Sequence, residues 1–145
     1  MEKELVERAG LPFQAIPAAG VHGVSLKKLP GNLSQLWKGY HRSKQILKEF
    51  DPDVLLFTGG YVAIPMALAG KKRQSLLYVP DIEPGLALKV LARYSDRIAI
   101  TSEESRKFFK HQEKLTVSGY PIREELKKWN KADGLAYFKF EPNLK

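Results

Sequence analysis

The sequence contains no cysteine, which excludes a disulfide framework and any thiolate metal site. Its three histidines, His22, His41 and His111, have no paired spacing that would present two imidazoles to one ion. The expectation is a reducing compartment, no metal and no cofactor. Long apolar runs are missing too: the longest match one strand or a short helix, far below the roughly 20 residues of a membrane span. The opening MEKELVERAG carries the charges of a helix rather than of a signal segment.

Positive charge is plentiful. Lysine and arginine total 24 against 16 acidic residues, a formal charge of +8, which favours an anionic partner: nucleic acid, a phosphorylated ligand or anionic lipid. Nucleic acid rests on net charge alone, because neither an aromatic ribonucleoprotein-like signature nor a helix-turn-helix pattern is present. No nucleic-acid partner is therefore expected. At 145 residues and 43% hydrophobic content, the chain can bury the core of one domain.

Apolar runs of strand length recur at Leu11–Pro17 (LPFQAIP), Asp53–Thr58 (DVLLFT), Ser75–Val79 (SLLYV), Arg97–Thr101 (RIAIT) and Lys114–Gly119 (KLTVSG). Helix-like segments of about ten residues separate the last four, the rhythm of βα units. The fold class is therefore α/β, a Rossmann-like parallel sheet with helices on both faces. Asn32 or Ser34 can cap a helix that stops before Asp51-Pro52-Asp53, with Leu33, Leu36, Ile46 and Leu47 as its core face. Pro84 can open the next helix, and Ser102 can cap the one after it. Trp129 and the phenylalanines 108, 109, 138 and 140 read as packing residues. The chain opens on a helix with no strand before it and closes on a short helix and turn, the organisation of a segment from a larger protein.

The most informative stretch is DVLLFTGGYVAIPMALAG, in which a buried strand delivers Gly59, Gly60 and Tyr61 to one point without a polar loop. Ligands of open parallel sheets sit at the carboxyl ends of the strands. Glycine there permits positive φ and close backbone approach to a phosphate or diphosphate, and Tyr61 adds a phenol. A tight strand-to-helix turn with no ligand explains the two glycines equally well. The other strand ends bring Asp81 and Glu83, then Ser102, Glu103 and Glu104, then Gly119, Tyr120 and Arg123 to the same rim. Asp81 or Glu83 suits a general base, although carboxylates in such places more often cap helices. The residues after the fourth run are assigned to capping.

In order and spacing, FTGGYVAIP, then PGLALKVLARYSDRIAI, then GYPIREEL resemble the acceptor-side half of the MurG family, the family 28 glycosyltransferases. These move N-acetylglucosamine from a UDP-sugar to an undecaprenyl-diphosphate-linked acceptor, and diacylglycerol glycosyltransferases share the architecture. The resemblance implies a GT-B enzyme of two Rossmann-like domains, inverting, with no metal or cofactor. It implies that Gly59, Gly60 and Tyr61 meet the acceptor diphosphate, that Glu83, Gly119, Tyr120 and Arg123 line the cleft rim, and that residues 1–130 form a partial acceptor-binding domain. Residues 131–145 would begin the linker to a UDP-sugar-binding domain. The family's first strands and glycine-rich loop have no counterpart here, and its HEQN tetrapeptide is Tyr78-Val79-Pro80-Asp81. Asp81 is thus the remaining candidate base. The expected partners are a lipid-diphosphate-linked acceptor and a UDP-sugar held by another domain or chain. The alternatives are a non-catalytic, membrane-associated acceptor-binding subunit of a two-chain glycosyltransferase, or a glycolipid (diacylglycerol) glycosyltransferase.

Leu26, Lys27, Lys28, Leu29, Trp37 and Lys38 interleave apolar and basic side chains, a mixture suited to an anionic membrane surface. Together with the resemblance, this places the protein at the cytoplasmic face of the cell membrane as a peripheral protein.

Overall fold

Four of the five apolar runs become strands. The computed structural model describes residues 2–20, 25, 29–128 and 130–140. β1 (Val54–Phe57), β2 (Gln74–Val79), β3 (Arg97–Ile100) and β4 (Leu115–Val117) lie side by side in chain order, all parallel. α3 (Ala63–Ala69), α4 (Leu86–Tyr94) and a 3₁₀ turn, Glu103–Phe108, connect them. α1 (Glu2–Arg8) and α2 (Leu29–Phe50) precede the sheet; α5 (Glu124–Lys128) and α6 (Lys131–Phe138) follow it. The α/β class read from the sequence is the one observed.

Register decides which side chains share a face. Leu55 lies beside Ser75, Phe57 beside Leu77, Leu77 beside Ile98 and Ile98 beside Leu115, so these point the same way, and all are buried. Leu47 of α2, Ala67 of α3, Leu88, Leu91 and Ala92 of α4, and Phe109 complete one core against that face. Among the described residues the opposite face is less fully covered: at the β1 edge Val54 is 56% and Leu56 63% exposed, while Leu76, Tyr78 and Ala99 are half-buried. Crossovers between parallel strands are right-handed, so an unreversed strand order places every connecting helix on one side. Helices on both faces would need the reversal of order that marks a doubly wound sheet, and the described strands contain none.

No strand forms at Leu11–Pro17; residues 11–20 are irregular. Pro12 and Pro17 cannot donate to a ladder, and the segment lies along α2 instead. The Pro17 carbonyl oxygen abuts Gly39. Arg42 Nη2 donates to Gln14 Oε1 at 3.0 Å, and Asn32 Nδ2 donates to Gly20 O at 2.5 Å. Among the described residues, β1 is therefore an unpaired sheet edge.

α2 also departs from its sequence reading. It begins at Leu29 with Pro30 in the first turn, where a missing N–H costs no helical bond. The caps expected at Asn32 or Ser34 are thus interior residues. Of the expected core face only Leu47 is buried; Leu36 and Ile46 are half-buried and Leu33 is 53% exposed. The buried stripe is Gly39, Ser43 and Leu47, four residues apart, and its small members let α2 approach α3 closely. Ser43 Oγ donates to Gly39 O at 2.7 Å, so the hydroxyl is satisfied inside the contact.

Phe109 is buried and Phe108 half-buried, as packing residues should be. Phe138 and Phe140 are not: they stack on each other, with centroids 5.8 Å apart, but remain 64% and 54% exposed. Residues of the short α6 find no core to enter. Trp129 lies outside the described residues.

Candidate functional site

Because all four strands run the same way, their following loops form one rim at the carboxyl edge. The β1–α3 turn carries Gly59 at φ +117° and Gly60 at φ +79°, two successive residues in the region that favours glycine. The two glycines have different neighbours. A Cβ at Gly59 would lie 3.2 Å from Leu88 Cδ2, so this residue lets the turn rest on α4. A Cβ at Gly60 would meet no described residue within 4 Å, which leaves room for a ligand beside it. The turn is closed by Ala63 N donating to Gly60 O and Ile64 N to Tyr61 O, both at 3.3 Å.

Tyr61 is partly exposed, and its ring lies over Gly20, where a Cβ would be 3.3 Å from Tyr61 Cε2. The irregular segment along α2 therefore abuts the glycine turn. Asp81 follows β2, the neighbour of β1, and is solvent-exposed. Glu83 turns away toward α4, its carboxylate 4.0 Å from Lys89 Nζ. Gly119 (φ +73°), Tyr120 and Arg123 follow β4. β4 itself lies three strand spacings, roughly 14 Å, from β1. The structure thus places Gly59, Gly60, Tyr61 and Asp81 on loops that follow neighbouring strands, and Gly119, Tyr120 and Arg123 on the loop that follows β4.

One rim residue escaped the sequence reading. Tyr78 belongs to the Tyr78–Asp81 tetrapeptide, but strand alternation turns it to the face opposite Leu77 and Val79. Its hydroxyl is occluded and finds no hydrogen-bond partner among the described residues. Loss of solvation, and then the nearby Tyr120 phenol, hold its pKa above the ordinary tyrosine value. The signal was available in the alternation of Ser75–Val79, which places Tyr78 on the other face from its two buried neighbours.

Of the six residues assigned to a membrane patch, Leu26, Lys27 and Lys28 lie outside the described residues. Leu29 is half-buried, Lys38 is exposed and Trp37 is 65% exposed, its ring tilted on His41 at 4.1 Å. Leu33, one turn before Trp37, joins them on the exposed stripe. No described helix is long and apolar enough to cross a membrane. The described residues form no group of three or more His, Asp or Glu able to hold a metal ion.

Comparison with known proteins adds a family. Residues 1–100 match the glycosyltransferase family 28 N-terminal domain. The chain is 32% identical over 144 residues to the UDP-N-acetylglucosamine–N-acetylmuramyl-(pentapeptide) pyrophosphoryl-undecaprenol N-acetylglucosamine transferase of Desulforamulus reducens, covering 97% of this chain and 38% of that protein. It is 41% identical over 140 residues to the protein of the same name from a Thermoanaerobacter species, covering 93% of this chain and 38% of that one. The chain thus spans under half the length of these curated relatives. Among solved structures, Acinetobacter baumannii MurG aligns with a TM-score of 0.65 at 19% identity, over 88% of this chain and 36% of that one. The described residues therefore share the fold of the aligned part of that protein.

Proposed function

We propose a function from one premise: the chain belongs to glycosyltransferase family 28, whose N-terminal domain it matches over residues 1–100. On this reading residues 1–130 supply the acceptor-binding side of a UDP-sugar-dependent hexosyltransferase, and residues 131–145 begin the passage to a sugar-nucleotide domain. The acceptor is a lipid-diphosphate-linked sugar and the transferred group N-acetylglucosamine, the chemistry named for the relatives. The observation that carries the reading is the Gly59-Gly60 turn, with two positive φ values in succession and Gly60 open. Backbone amides of such a turn bind the diphosphate with no side chain in the way.

In the complete enzyme, the acceptor hydroxyl oxygen attacks the anomeric carbon as the bond from that carbon to UDP breaks, inverting the centre. The hydroxyl proton passes to a base, for which Asp81 is this chain's candidate, and the departing UDP is stabilised by the sugar-nucleotide domain. Because Asp81 follows the strand next to β1, a sugar tethered to a diphosphate at Gly60 stays within reach of its carboxylate.

The α2 stripe of Leu33, Trp37 and Lys38 serves as the seat on the cytoplasmic face of an anionic membrane. The apolar residues enter the headgroup boundary and lysines meet lipid charge, each basic residue contributing on the order of 1 kcal/mol. Binding of the chain to vesicles of phosphatidylglycerol, with and without an undecaprenyl-diphosphate-linked N-acetylmuramyl-pentapeptide, tests the whole reading. The diphosphate lipid is expected to tighten binding; indifference to it would remove the acceptor assignment. Trp37→Glu is expected to weaken binding to plain vesicles about tenfold, because it replaces an inserting ring by an acid repelled by the surface. Equal binding of Trp37→Glu would move the membrane seat off α2.

A further inference from the structure

A second binding region lies away from the rim, on the helical side near the amino end of β3. There α4 and the end of the Glu103–Phe108 turn leave a pocket of about 400 Å³, within the size range of small-ligand sites. Its floor is apolar: Ile98 and Phe109 are 1% and 8% exposed. Its walls are basic, with Lys89 and Arg93 one turn apart on α4 and Lys110 facing them. Arg93 and Lys110 make no hydrogen bond or ion pair with any described residue. Among the described residues Lys89 pairs with Glu83 at 4.0 Å, and its ammonium lies 5.8 Å from the Phe108 ring centroid. Lys107 approaches the same ring at 5.2 Å.

Three cations around an oily floor repel one another while empty, and an anion among them relieves that repulsion. An apolar tail on the anion would in turn cover the ring of Phe108, which lines the pocket and is only half-buried. We propose that this pocket binds a small amphiphilic anion, a phosphate or similar headgroup carrying a short apolar tail. The site is separate from the glycine turn, so it stands or falls independently of the acceptor reading.

Calorimetry with hexyl phosphate, inorganic phosphate and hexanol, at one fixed ionic strength, separates the headgroup and tail contributions. Hexyl phosphate is expected to bind at least tenfold tighter than either half alone. The double variant Arg93→Gln/Lys110→Gln is expected to lose about tenfold in that affinity at an unchanged melting temperature, because both side chains are exposed and unpartnered. Lys71→Gln/Lys72→Gln, with the same charge change elsewhere, should retain it. Hexyl phosphate binding no tighter than inorganic phosphate, or equal losses in the two double variants, would overturn the proposal in favour of a general effect of net charge.

Discussion

Gly39→Ala is expected to destabilise the protein by about 2 kcal/mol, although the same substitution in an ordinary helix interior stabilises by about 1 kcal/mol. The sign reverses because the new Cβ would lie 2.1 Å from the Pro17 carbonyl oxygen and 3.2 Å from Pro65 Cγ. An oxygen of the main chain cannot rotate aside, so either residues 11–20 leave α2 or α2 leaves α3. Gly70→Ala provides the comparison. Its Cβ would fall 2.3 Å from Leu55 Cδ1, the end of a side chain that can change rotamer, its nearest main-chain atom would be Met66 O at 3.2 Å, and its backbone is not in the left-handed region. Urea denaturation of both variants should rank Gly39→Ala as the costlier. Hydrogen exchange should report lost protection around Asn32 and Gly39 in that variant. A Gly39→Ala protein as stable as the parent would mean that the segment does not rest on α2 in solution.

The sequence made the sheet legible because β2, β3 and their neighbours are short runs of β-branched and apolar residues punctuated by glycine and proline. Their parallel order followed from the helices between them. The Leu11–Pro17 run was misread because its apolar content matches a strand, while the two prolines that prevent pairing act through missing donors rather than hydropathy. The α2 interface was missed for the converse reason: Gly39 and Ser43 carry no hydrophobic signal, and closeness of approach is a property of the partner helix as much as of α2. At the rim, Gly59 and Gly60 looked equivalent in sequence. Only the fold separates them, because Leu88, nearly thirty residues on, supports one and leaves the other open. Tyr78 was hidden by its own strand, where an aromatic residue is an ordinary component.

That division between the glycines yields the second large effect. Gly60→Val is expected to reduce affinity for the diphosphate-linked acceptor by more than tenfold, since its side chain would project into the open space beside the turn. A β-branched residue at φ +79° also strains the backbone by about 1–2 kcal/mol, so lost binding in this variant alone has two explanations. Gly60→Asn separates them: asparagine tolerates positive φ but still fills the space. The asparagine variant should melt near the parent temperature and still bind the acceptor poorly. Gly59→Ala should behave differently, lowering the melting temperature through Leu88 and the φ of +117°. Its loss of acceptor binding should be no larger than its loss of folded protein. Parent-like acceptor affinity in a folded Gly60→Asn protein would leave the glycine pair as a tight strand-to-helix turn, and the diphosphate would have to be held elsewhere on the rim.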